Sequence, residues 1–127
     1  MPAAPLVNSL FKGKKEKWKP LFPRLMARLS RISGVEIRPM KDFFNIVHSE
    51  PPRKAFGRIR ATIKGIEIRL NLKKGTFRSE RLIAAPGTKD LNKVYVLIRE
   101  VSEIDEELTS WVKAAKSKAR NARRKQT

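Results

Sequence analysis

Cysteine is absent from the 127 residues and histidine occurs once. Those two shortages exclude a disulfide framework, thiolate chemistry and a zinc constellation of Cys and His. No run approaches the ~18 apolar residues that a membrane helix needs. The opening M-P-A-A-P-L-V-N-S-L-F also lacks the basic segment and long apolar stretch of a secretory leader. The expectation is a soluble, cytoplasmic protein. Acids are scarce as well: 12 Asp and Glu stand against 30 Lys and Arg, a formal charge of +18. That excess self-repels in a compact chain and goes far beyond what keeps a small domain soluble. It points to a polyanion, with DNA or RNA as the expected partner and an acidic protein as the alternative. An anionic membrane surface ranks between them on charge alone and is not retained.

What the chain does have is a central pair of alternating runs from Ala55 to Lys73, A-F-G-R-I-R-A-T-I-K-G-I-E-I-R-L-N-L-K, which reads as a long β-hairpin. A two-residue loop at Lys64-Gly65 suits a type I′ turn, whose backbone needs positive φ. Counting outward, Ile63 faces Ile66, Ala61 faces Ile68, Ile59 faces Leu70 and Gly57 faces Leu72, giving an apolar face. The other face sets Thr62 against Glu67, Arg60 against Arg69, Arg58 against Asn71 and Phe56 against Lys73. It is cationic apart from Glu67. Like charges directly opposite are unfavourable, so Arg60 and Arg69 call for splayed side chains or a bound anion.

Around the hairpin, residues 1–5 read as a loose end and Leu6–Phe11 as a turn or two of helix stopped at Gly13. Leu21, Phe22, Leu25, Met26, Leu29 and Ile32 recur at helical spacing, predicting an amphipathic helix over 20–33 with Trp18 folded back on it. Val35–Arg38, closed by Pro39, and Phe43–His48 predict two strands. Residues 75–92 carry a weak pattern, with Leu82–Ala85 as a brief edge strand or helical turn, and Val94–Val101 predicts the last strand. Ser102, Glu103, Ile104 and Asp105 open a final helix with a near capping box, and Ile104, Leu108, Trp111, Val112 and Ala115 form its stripe. Beyond Ala115 the basic residues accumulate without an acid, a segment expected to fray or to order on an anion.

Catalytic signatures are weak. Gly13-Lys14 is not a phosphate loop, because Asn8 stands where its first glycine belongs and Lys15 where Ser or Thr would meet magnesium. The acids Glu100, Glu103, Asp105, Glu106 and Glu107 lack the spacing of a calcium loop and read as a helix-start cluster. His48 reads as a strand-end histidine with no placed nucleophile. No catalytic residue, metal or cofactor is assigned.

In chain order, L-F-K-G-K, an amphipathic helix, G-V-E-I-R-P-M-K, R-K-A-F-G, V-Y-V-L-I-R and S-E-I-D-E-E-L-T-S-W-V-K-A-A together resemble the bacterial domain-of-unknown-function family 5655, over about residues 6–119. The most specific portion is 102–115, followed by Lys41 after the first strand and the R-K-x-F pattern at Arg53, Lys54 and Phe56. The resemblance implies a helix, antiparallel sheet, helix unit, often appended to other domains including nuclease-like ones, and no assigned activity.

The resulting expectation is an α+β fold: an N-terminal helix, a mostly antiparallel sheet of about five strands and a C-terminal helix packed on one sheet face. Residues 6–115 form a single domain, with 116–127 as a basic C-terminal extension. The expected function is non-catalytic nucleic-acid binding by phosphate contacts with little base readout, with a loss on the order of 10³ in affinity between roughly 50 and 200 mM salt. Candidate contacts are Arg58, Arg60, Arg69, Lys73 and Phe56 on the hairpin, with Lys41, Arg53 and Lys54, and in the tail Lys116, Lys118, Arg120, Arg123 and Arg124. A second copy of the chain, covering the other sheet face as a homodimer, is left open.

Overall fold

In a computed structural model the described residues are 11–50, 53–72, 81–84 and 93–125, with side chains in the final helix described as far as 117. The predicted loose end at 1–5, the helical turn before Phe11 and Lys73 lie outside them. Trp18 ends a short 3-10 helix, Gly13–Trp18. The apolar repeat that follows forms α1, Leu21–Ser30, shorter than the predicted 20–33. Pro20 caps it and Pro23 sits in its first turn, where the missing N–H has no helical acceptor to lose. The strands are β1, Val35–Pro39; β2, Phe44–His48; β3, Ala55–Thr62; β4, Gly65–Asn71; β5, Ile83–Ala84; and β6, Lys93–Ile98. The closing helix is α2, Glu106–Lys125.

The strands form one sheet in the order β1-β2-β3-β4-β6-β5, with every described pairing antiparallel. Five are full strands and β5 is a two-residue edge, so the α+β architecture predicted from the sequence is the one observed. α1 packs on β1, and α2 on β3 and β4. Leu25, Leu29, Phe44, Ile46, Ile59, Ile66, Ile68, Val96, Ile98, Leu108, Trp111 and Val112 meet in one core between helices and sheet.

The hairpin register differs from the predicted one. The turn is Ile63-Lys64, and the pairs are Thr62 with Gly65, Ala61 with Ile66, Arg60 with Glu67, Ile59 with Ile68, Arg58 with Arg69 and Gly57 with Leu70. Neither turn residue has positive φ, so this is not the type I′ turn; a β-branched residue such as Ile63 would be strained there. Gly65 instead takes φ +151 after the turn, where an added Cβ would meet the Ile98 carbonyl oxygen at 3.0 Å. The Thr62 hydroxyl accepts from the Lys64 N–H at 3.1 Å and donates to the Gly65 carbonyl at 2.9 Å. Side chains cap the turn from outside: Trp18 Nε1 donates to the Ile63 carbonyl at 3.2 Å and Arg99 Nε to that of Lys64 at 2.7 Å. Ile63, predicted to pair inward, is 59% exposed.

Two other corrections concern side-chain placement. The β2–β3 pairing shifts between Ile46 with Gly57 and Val47 with Ala55, leaving Phe56 as an extra residue in a bulge. Phe56 therefore turns into the core, 6% exposed, with its ring 5.1 Å from that of His48. At the other end of the chain, Val101–Glu103 is a 3-10 turn, and α2 starts after it with Asp105 as its cap, accepting from the Leu108 N–H at 3.0 Å. Ser102 is not that cap; its hydroxyl donates to Glu100 at 3.3 Å.

Beside the bulge, Gly57 has no room for a side chain: a Cβ would lie 2.9 Å from Ile46 Cδ1 and from Leu70 Cδ2. Gly57→Ala is expected to lower stability by about 1–3 kcal/mol, the range for overpacking a filled core. Urea denaturation checks this, and a midpoint equal to that of the parent chain contradicts it.

Candidate anion-binding groove

Alternation along the strands puts the side chains between the core residues on the sheet face away from the helices. On β3 and β4 these are Arg58, Arg60, Glu67 and Arg69, so the predicted grouping of three arginines with one glutamate on a face holds. Their pairing does not. Glu67 is buried, its side chain 5% exposed, and its two carboxylate oxygens accept from two guanidinium groups: Arg60 Nε on one, and Arg69 Nε at 3.1 Å on the other. Arg60 and Arg69 are thus already answered by the protein's own acid, and an anion-binding role cannot rest on them as free charges.

Their geometry still matters. Each arginine is held through Nε and remains accessible, 47% for Arg60 and 34% for Arg69. Nε engagement leaves the terminal Nη donors of each fork without a protein acceptor among the described residues, already oriented. Arg58, directly opposite Arg69, avoids the like charge differently: its guanidinium stacks 4.2 Å over the Phe43 ring. No carboxylate pairs with Arg58 among the described residues.

Arg60, Glu67 and Arg69 floor an open groove of about 770 Å³, lined also by Lys15, Asp42, Thr62, Lys64, Tyr95 and Leu97. Four cations, Lys15, Arg60, Lys64 and Arg69, face two acids, Asp42 and Glu67. Glu67 is consumed internally, so the accessible surface is cationic. The 3-10 helix brings Lys15 here because it packs against β3 and β4, with Trp18 anchored to the hairpin turn.

The structure separates the other candidates. In the antiparallel sheet, Lys41 in the β1–β2 connection lies at the same end as the Ile63-Lys64 turn, whereas Arg53 and Lys54, before β3, lie at the opposite end. Arg53 pairs with Glu36 at 4.0 Å. Lys116 also belongs to that far end: its ammonium donates to the Ser33 carbonyl at 2.6 Å, just before β1. The α2 backbone continues helical to Lys125. The side chains of Lys118, Arg120, Arg123 and Arg124 lie outside those described. Phe56, in the core, has no exposed face on which a base could stack.

Sequence reasoning passed over Tyr95, Asp42 and Lys64 as groove residues. For Tyr95 the signal was present, since Val94, Val96 and Ile98 alternate with it. Two acids at the start of α2 are occupied by Arg81, whose Nη1 reaches Asp105 at 3.1 Å and Glu107 at 2.9 Å, with its guanidinium 5.0 Å over Trp111. Among the described residues no group of three or more His, Cys, Asp and Glu is placed to hold a metal ion, and no helix is long and apolar enough to cross a membrane.

No match is found among curated proteins, and none among solved structures. The family described as a domain of unknown function, DUF5655, matches over residues 7–116. The whole sheet, α1 and the first half of α2 fall within that match, and the chain belongs to the DUF5655 family.

Proposed function

We propose that this domain is a non-catalytic nucleic-acid-binding module that contacts phosphates through the groove face of its sheet, with little base readout. The observation that carries the reading is the Arg60–Glu67–Arg69 arrangement. One buried carboxylate fixes two guanidinium groups by Nε, and their remaining donors line an open groove rimmed by Lys15 and Lys64. Pre-orientation reduces the conformational entropy lost when a long side chain grips an anion. The formal charge of +18 supplies the long-range attraction. A cytoplasmic setting, where both DNA and RNA are at hand, goes with this reading.

The test compares equal losses of charge. Replacing Arg58, Lys15 and Lys64 together with Gln removes two groove cations and one on the same sheet face, none of which makes an ion pair in the described structure. Affinity for a nucleic-acid strand is expected to fall about 10-fold or more, since each neutralised phosphate contact contributes to counterion release. Replacing Arg53, Lys54 and Lys113, exposed cations away from the groove, should change it only slightly. Equal losses in the two sets, measured by fluorescence anisotropy, would show that charge acts without regard to position and would remove the groove from the account.

A further inference from the structure

The strand pairings align one residue from every strand into a single row on the face away from the helices: Arg38, Asn45, Arg58, Arg69, Tyr95 and Ile83. Adjacent strands lie ~4.8 Å apart, so the row runs about 24 Å across the sheet. Three of its members are arginines. Tyr95, beside Arg69, is half-buried and lines the groove, an aromatic set next to a held guanidinium.

From this row we infer that the ligand is single-stranded nucleic acid, lying across the strands of the sheet with a base stacked on Tyr95. The inference rests on the proposed function and narrows its substrate class. Phosphates of one strand meet Arg38, Arg58 and Arg69 in succession, and the base beside Arg69 comes down on the tyrosine ring. An unpaired strand has bases free to splay onto an aromatic, whereas a duplex hides their faces in its stack. The stacking is tolerant of base identity because every base offers a π face. The chemistry is shared by DNA and RNA.

The experiment uses the full chain and four probes: a short oligothymidylate, an abasic strand of equal length and charge, an oligouridylate, and polyglutamate as competitor. The unsubstituted protein is expected to bind the oligothymidylate or the oligouridylate about 10-fold more tightly than the abasic strand. The tighter of the two arms tells DNA from RNA. Tyr95→Phe should keep that preference and Tyr95→Ala should lose it, with circular dichroism confirming that both variants fold. Equal affinity for base-bearing and abasic strands overturns the inference while leaving phosphate binding intact. A preference that persists in folded Tyr95→Ala overturns it as well. Failure to bind any strand removes the proposed function along with it. Polyglutamate competing as well as the nucleic acid would turn the surface over to an acidic protein.

Discussion

Replacing Arg60 and Arg69 together with Ala is expected to destabilise the domain by about 3 kcal/mol, and adding Glu67→Gln should restore most of that loss. The asymmetry follows from burial. Glu67 is the shielded member, its side chain 5% exposed, while both arginines reach solvent. Removing the arginines leaves a carboxylate in a site built to hide it, and an uncompensated buried charge costs about 3–5 kcal/mol. The lower end applies because truncating two half-exposed side chains also admits water. Neutralising Glu67 alone leaves two guanidinium groups that can be hydrated, so Glu67→Gln in the otherwise unchanged chain should cost less, about 1–2 kcal/mol. Chemical denaturation of the three variants provides the check. If the double arginine variant is no less stable than Glu67→Gln, the carboxylate is not held as described.

That coupling also changes how the surface must be dissected. A triple substitution of Arg58, Arg60 and Arg69, the obvious trial from the sequence, would combine lost anion contacts with an orphaned Glu67. Arg58 stands outside the network, stacked on Phe43, so it can be removed without that complication. In the proposed function Glu67 would serve anion binding despite its negative charge, because it fixes two cationic forks in place.

The sheet faces were legible in the sequence because alternation with period two survives an error in the turn. Moving the loop from Lys64-Gly65 to Ile63-Lys64 slides each strand by two residues relative to its partner. Apart from Ile63, which passes into the exposed turn, the inward side chains of both strands stay inward, and the opposing pairs change. A one-residue slip would have reversed the faces. The pairing itself was not legible, because a glycine after lysine suggests a type I′ turn, while here it follows a turn whose carbonyls Trp18 and Arg99 tie down from distant parts of the chain. The bulge that buries Phe56 depends on how β2 meets β3, and neither run alone encodes it. The cap of α2 was misplaced by three residues because Ser102 and Asp105 are both good caps, and the intervening 3-10 turn decides between them. Arg81 lay beyond reach as well: a lone arginine in a weakly patterned segment gives no sign that it joins Asp105, Glu107 and the face of Trp111.

The proposed function rests on an excess of charge that becomes directional only in the fold. Lys15 comes from the 3-10 helix and Arg38 from the edge strand, both far from the hairpin arginines in sequence, whereas Lys64 sits in the turn between them. The groove brings Lys15 and Lys64 beside Arg60 and Arg69, and the cross-strand row adds Arg38 and Arg58.

The most direct test is the affinity of the full chain for a single strand as salt is raised from roughly 50 to 200 mM. Six phosphate contacts, from Lys15, Arg38, Arg58, Arg60, Lys64 and Arg69, predict a fall of about 300-fold for single-stranded nucleic acid. A slope close to zero, or no binding at the lowest salt, would contradict the groove as a phosphate-binding surface.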